Sequence, residues 1–157
     1  MSNESINRQP SGVPTGGQFA TTAHQEADVA LVDDKVLDAV TEQYLVTALW
    51  SSTDDDGEPL DSDFGVVDFA PVALAQARTD VSDFLAYNAD LIAQAKSLQP
   101  DYDDTNVAHD FWLTRNRHGA GFWDRGLGAV GDELTANAHA HGSVDLYVGD
   151  DGKVYIQ

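Results

Sequence analysis

The residue types able to do chemistry gather in one stretch. Between Thr105 and Arg125 lie His109, Asp110, Trp112, Arg115, Asn116, Arg117, His118, Trp123, Asp124 and Arg125. This window holds three of the 8 Lys and Arg residues, two of the 3 tryptophans and two of the 5 histidines. It carries a formal charge of +1, whereas the rest of the chain carries −20. Guanidinium groups and glycine N–H groups could hold an anionic ligand, and an indole could stack on a base or ring. His109 or His118 could then serve as general base. A nucleophile is not apparent, because the window lacks Ser and the chain has no Cys.

Helical spacing sharpens the pattern. At about 100° per residue, Arg115 falls between Phe111 and Trp112, inside the apolar arc. An inward guanidinium requires a carboxylate, because leaving a buried charge unpaired costs about 3–5 kcal/mol. Asp124 and Asp132 are the expected partners, in a bidentate pair. His109 and Asn116 flank Trp112, while Asp110 and Arg117 are expected to point to solvent. The structural alternative is that Phe111, Trp112, Phe122 and Trp123 fill a core and Arg115 with Asp124 fixes the following loop. Gly119, Gly121, Gly126, Gly128 and Gly131 suit tight turns or an anion-holding loop. Their spacing matches neither a P-loop nor a dinucleotide fingerprint, and no cofactor is expected. Metal ligation by His109 and His118 with Asp110 and Asp124 rests on spacing alone. His139 and His141, two apart, do not share a helix face. No metal site is expected.

The elements that must position this window follow from periodicity. Leu37, Val40, Tyr44, Leu45, Ala48 and Leu49 mark one face of a first helix, followed by an acidic loop. Residues 53–63 hold six acids, whose repulsion is expected to keep that loop open and solvated. Phe64 to Phe69 is a short strand or an extended lead-in. From Pro71, apolar residues and Asn88 keep helical spacing to Leu98, predicting one helix of about seven turns that Pro100 stops. Asp101, Asp103 and Asp104 precede a third helix, where carboxylates meet the positive end of the helix dipole. Leu127, Val130, Leu134 and Ala138 mark a fourth, ended by Gly142. Val144, Leu146 and Val148 then alternate, and Gly149-Asp150-Asp151-Gly152 leads to Val154-Tyr155-Ile156, a terminal hairpin. Its inward faces are expected to be Val144, Leu146 and Val148 with Val154 and Ile156. The fold class predicted is α+β, about four helices with a C-terminal β-hairpin over residues 35–157 as a single domain. Residues 1–34 read as a disordered leader, in which Arg8 to Phe19 is either a plain flexible segment or a docking peptide anchored by Phe19.

Charge and composition narrow the function classes. The 157 residues carry 27 Asp and Glu against 8 Lys and Arg, a net charge of −19. Such a surface repels phosphate backbones and anionic lipids, so direct nucleic-acid or membrane binding is not expected. The absence of Cys excludes disulfides, thiol catalysis and thiolate metal sites. No apolar run reaches a membrane span, and the first 25 residues lack a secretory stretch, which predicts a cytoplasmic location in the host cell.

The run Val107 to Gly128 contains Ala108-His109-Asp110-Phe111-Trp112-Leu113-Thr114-Arg115-Asn116 and His118-Gly119-Ala120-Gly121-Phe122-Trp123-Asp124-Arg125. It resembles a family of small acidic proteins of tailed bacteriophages and prophages that has no assigned activity. The resemblance extends more weakly to Gly152, and departs at Arg117, where the family pattern has glycine. Arg8 to Phe19 resembles a leader of actinobacterial and actinophage proteins. Both imply a phage or mobile-element origin. Two functions are therefore expected: an accessory protein that binds a host or phage protein, as a DNA-mimicking inhibitor or adaptor, or a small-ligand-binding or hydrolytic enzyme using the cluster at 109–125.

Overall fold

A computed structural model describes residues 32–157. The leader expected at 1–34 thus lies outside the described residues, except for its last three. Asp33 belongs to the first helix as its N-cap, its carboxylate accepting from Lys35 N at 2.9 Å. The described chain forms five helices and a two-stranded antiparallel hairpin, an α+β fold. The helices are α1 (Asp34–Ser51), α2 (Pro71–Tyr87), α3 (Ala89–Leu98), α4 (Asp104–Arg115) and α5 (Ala129–Ala140). The strands are β1 (Leu146–Val148) and β2 (Val154–Ile156). No helix among the described residues is long and apolar enough to cross a membrane.

The long helix expected from Pro71 to Leu98 is broken at Asn88. Pro71 stands in the first turn of α2, where its missing N–H is no loss. The apolar spacing runs through the break in phase, which is why periodicity alone does not reveal it. Asn88 is 1% exposed, and its side-chain amide donates to Phe84 O at 2.9 Å, competing with the helical ladder. Its side-chain oxygen accepts from Asn137 of α5 at 2.7 Å. The buried Asn88 and half-buried Asn137 amides thereby tie the bend to the last helix.

The most enclosed element is α4, which packs against α1, α5 and the 3-10 turn Phe122–Asp124. Asp103 caps it, accepting from Thr105 N and Asn106 N, while Asn106 Oδ1 accepts from Asp103 N. From Asp110 to Arg115 every residue is buried. Phe111 stacks on Phe84 at 4.0 Å between centroids, and Trp112 meets Tyr44 edge-on at 5.1 Å. Truncating a ring in this stack to Ala costs about 3–5 kcal/mol by lost burial and cavity formation.

Three local expectations are corrected. The acidic segment after α1 is a closed turn, bridged at Thr53 and Pro59. Asp54 Oδ1 accepts from Asp56 N and Glu58 N, both at 2.9 Å, so local hydrogen bonds outweigh repulsion that water already weakens. Phe64 to Phe69 forms no strand; it contains the 3-10 turn Val66–Asp68, and Phe69 bridges β2 at Val154. In the hairpin, Val154 is fully buried and Leu146 and Ile156 pack partly against the core, but Val148 is 41% exposed. Val148 lies on the outer strand of a two-stranded sheet, beyond the helices that cover its partner.

Candidate functional site

The cluster at 105–125 is divided by α4 into separate environments. Arg115, in the last turn of α4, is 3% exposed, its guanidinium carbon 5.3 Å from the Phe111 ring centroid. Its carboxylate is neither Asp124 nor Asp132 but Asp80 of α2, 2.6 Å from Nη1 in a single contact rather than a bidentate one. Nη1 also donates to the Tyr44 hydroxyl at 2.8 Å, and Nε donates to Gly142 O at 2.9 Å. Nη2 donates to His141 O at 3.3 Å. Those two carbonyls close α5, so the guanidinium also meets the negative end of a helix dipole. Burial pushes the Tyr44 hydroxyl well above its usual pKa, and the guanidinium pulls part of that back. Burial, then the Arg115 charge, lowers the His141 pKa.

Asp124 is occupied elsewhere. Its Oδ1 accepts from Gly121 N at 3.0 Å and closes the 3-10 turn Phe122–Asp124. A Cβ at Gly121 would collide with Thr114 Oγ1, which itself accepts from Phe122 N at 3.1 Å. At Gly131 a Cβ would lie 2.8 Å from Phe122 O. These two glycines therefore serve close packing of the loop onto α4 and α5. Trp123 is 54% exposed and not part of the core, because the tight turn sends Phe122 inward and its neighbour out.

Asp110 provides the largest correction. Expected on the solvent face, it is completely buried on the side of α4 opposite Arg115. Arg125 donates to both of its oxygens, from Nη2 to Oδ1 at 2.6 Å and from Nε to Oδ2 at 2.9 Å. The Tyr102 hydroxyl donates to Oδ2 at 2.7 Å, and His109 Nδ1 stands 3.2 Å from Oδ1. Burial and the adjacent carboxylate push the Tyr102 pKa far up. The hydrogen bond to Asp110 raises that of Arg125. Trp50 lies over the His109 ring at 5.8 Å. The outward placement of Asp110 assumed a helix with one buried face, and α4 is enclosed nearly all round.

A third environment lies at the C-terminal end of α4. Trp112 Nε1 donates to Ser51 Oγ at 2.8 Å, and Asn116 Oδ1 accepts from Val144 N at 2.8 Å. His118 joins them in the wall of a polar cleft of about 390 Å³. Arg117 is exposed and takes a φ of 57°, where glycine would be less strained.

The eight residues singled out thus do not converge on one pocket. His109 and Arg125 share the Asp110 cluster; Arg115 lies across the helix; Trp112, Asn116 and His118 line the cleft; Trp123 and Asp124 sit at the surface. Sequence reasoning missed Asp80, Tyr44, Tyr102 and Asp110 as partners. Only Asp80 carried a signal, about 40° from Phe84 at the margin of the α2 apolar stripe. Among the described residues, every buried side-chain polar atom has a hydrogen-bond partner. No group of three or more His, Asp or Glu side chains there is arranged to hold a metal ion.

No protein-family model matches the chain, and neither does any curated protein or solved structure.

Proposed function

We propose that the chain is an accessory protein of a phage or mobile element that acts by binding, presenting an anionic surface to a cationic cleft of another protein as a DNA mimic does. The observation that carries this reading is where the cations are. Arg115 and Arg125 are engaged by Asp80 and Asp110 inside the fold. Lys96 pairs with Asp104, and Arg78 with Asp34 and Asp38. Of the described cations only Lys35, Arg117 and Lys153 are outside ion pairs, against acids at 54–63, 101–104 and 150–151. Within the positive segment only Arg117 presents a cation outside an ion pair, and the surface remains strongly negative. The phage origin rests on the resemblance of residues 107–128.

The test is capture from host lysate on immobilised protein. A mimic releases its partner as salt approaches 1 M, where the screening length is about 3 Å, and also when duplex DNA is added as competitor. A partner retained against both overturns the reading.

A second reading, a small-ligand or hydrolytic site at 109–125, draws support from the His109–Asp110 contact. Buried Asp110 orients the imidazole through Nδ1, and Nε2 has no protein partner among the described residues. Thermal stabilisation by an anionic metabolite, abolished by His109→Gln, would favour this reading over mimicry.

A further inference from the structure

We propose that the groove between the acidic turn 53–59 and the outer edge of β1 accepts an extended cationic peptide segment of a partner protein as an added strand. This rests on the binding reading above and specifies where and how a partner is held.

The argument starts from hydrogen-bond register. Asp145 and Gln157 exchange both backbone bonds at 3.0 Å, and Gly149 N donates to Lys153 O at 2.8 Å. Tyr147 lies opposite Tyr155 between them. In an antiparallel ladder the alternate residues then turn their N–H and C=O groups away from the partner strand. For β1 these are Leu146 and Val148, whose backbone groups have no partner among the described residues. The far edge of β2 is different, because Ala70 N already donates to Val154 O at 2.9 Å.

The opposite wall has the same property. Leu60 N donates to Ser52 O and Asp54 N to Glu58 O, both at 2.9 Å. Those bonds flank the Thr53–Pro59 bridge, so the backbone groups of Thr53 face away from Pro59. Thr53, Leu146 and Val148 line one groove of about 200 Å³. It continues, through Thr53 and Leu146, into the cleft of about 390 Å³. A slot with unpaired backbone groups on both walls matches an extended backbone, which alone offers donors and acceptors at strand spacing.

Charge selects the occupant. Asp54 and Asp55 line the narrower part and Asp145 the wider one, and no Lys or Arg lines either. Exposed Tyr147 and Val148, with buried Leu60 beneath, offer apolar contact between the carboxylates. A segment alternating Lys or Arg with small apolar residues satisfies both. A second copy of this edge would bring its own Asp145, Asp150 and Asp151 against Asp54, and like charges oppose that pairing.

The test titrates a short capped peptide alternating Lys and Val into the full chain, read by amide chemical shifts. Saturable shifts are expected at Thr53, Leu146 and Val148. Val148→Pro removes an outward N–H without touching a β1–β2 bond, and should weaken binding at least about tenfold. Peptides N-methylated on alternate amides in either phase make the test independent of folding, and at least one phase should lose binding. The proposal is overturned if both bind as tightly as the parent peptide, or if folded Val148→Pro binds unchanged. If folded Val148→Pro still captures a partner displaced by salt and DNA, the groove is refuted while the acidic-surface reading stands. Failure of the unmodified chain to make any salt-sensitive capture refutes both.

Discussion

The two arginine clusters on α4 are built from the same side chains and are inverted in burial. In one, Arg115 is 3% exposed and its partner Asp80 is 23% exposed. In the other, Asp110 is 0% exposed and its partner Arg125 is 33% exposed. Each adds a tyrosine hydroxyl and a histidine at its margin: Tyr44 and His141 for Arg115, Tyr102 and His109 for Asp110. The buried member of each pair is held by several hydrogen bonds, and the rim member can reach water. Burial of a charge in this protein is thus tolerated for either sign, provided one partner stays near the surface.

That comparison is most sharply tested by removing the arginine from each pair, the rim member in one and the buried member in the other. Arg125→Ala leaves Asp110 buried without its cation and should destabilise by about 3–5 kcal/mol, measured by denaturant unfolding. Arg115→Met, which removes the buried member and lets Asp80 turn to water, should cost less, about 1–2 kcal/mol. Equal losses in the two variants would break the inversion. Between those two in size, Tyr102→Phe removes a hydrogen bond to a buried carboxylate and should cost about 1.5–3 kcal/mol. Tyr44→Phe should cost less, because Arg115 keeps Asp80 and two carbonyls.

The smallest effect is a pH dependence. Burial, with the Arg115 charge, holds His141 below the ordinary value of 6.5. As pH falls through that value the unfolded chain takes up a proton that the folded chain does not, so this residue lowers stability on acidification. His141→Asn should flatten the stability profile between neutral pH and the depressed value. An unchanged slope would show that neither burial nor the Arg115 charge holds His141 below its ordinary value.

Much of the local structure was legible in the sequence. The acids ahead of α4, the Pro71 start and the Gly142 stop of α5 are signals legible within a turn or two, because helix ends are satisfied by near neighbours. Arg115 was placed inward by the arc of Phe111 and Trp112 around it. The expected partners Asp124 and Asp132 lie downstream, yet Asp80 lies 35 positions upstream. Asp110 was misplaced because a wheel with one apolar arc assigns every other direction to water. The break at Asn88 was hidden by a stripe that continues in phase through it.

The chain's own residues determined the helical faces, the caps, the hairpin and the sign of the surface charge, since each depends on side chains a few positions apart or on composition alone. Tertiary structure decided which carboxylate neutralises which arginine, and that α4 is surrounded rather than laid on a surface. It also left β1 and Thr53 with open edges along one groove. Those outcomes depend on which elements pack around α4 and beside the hairpin, and no local periodicity encodes the far side of a helix or the neighbour a strand lacks.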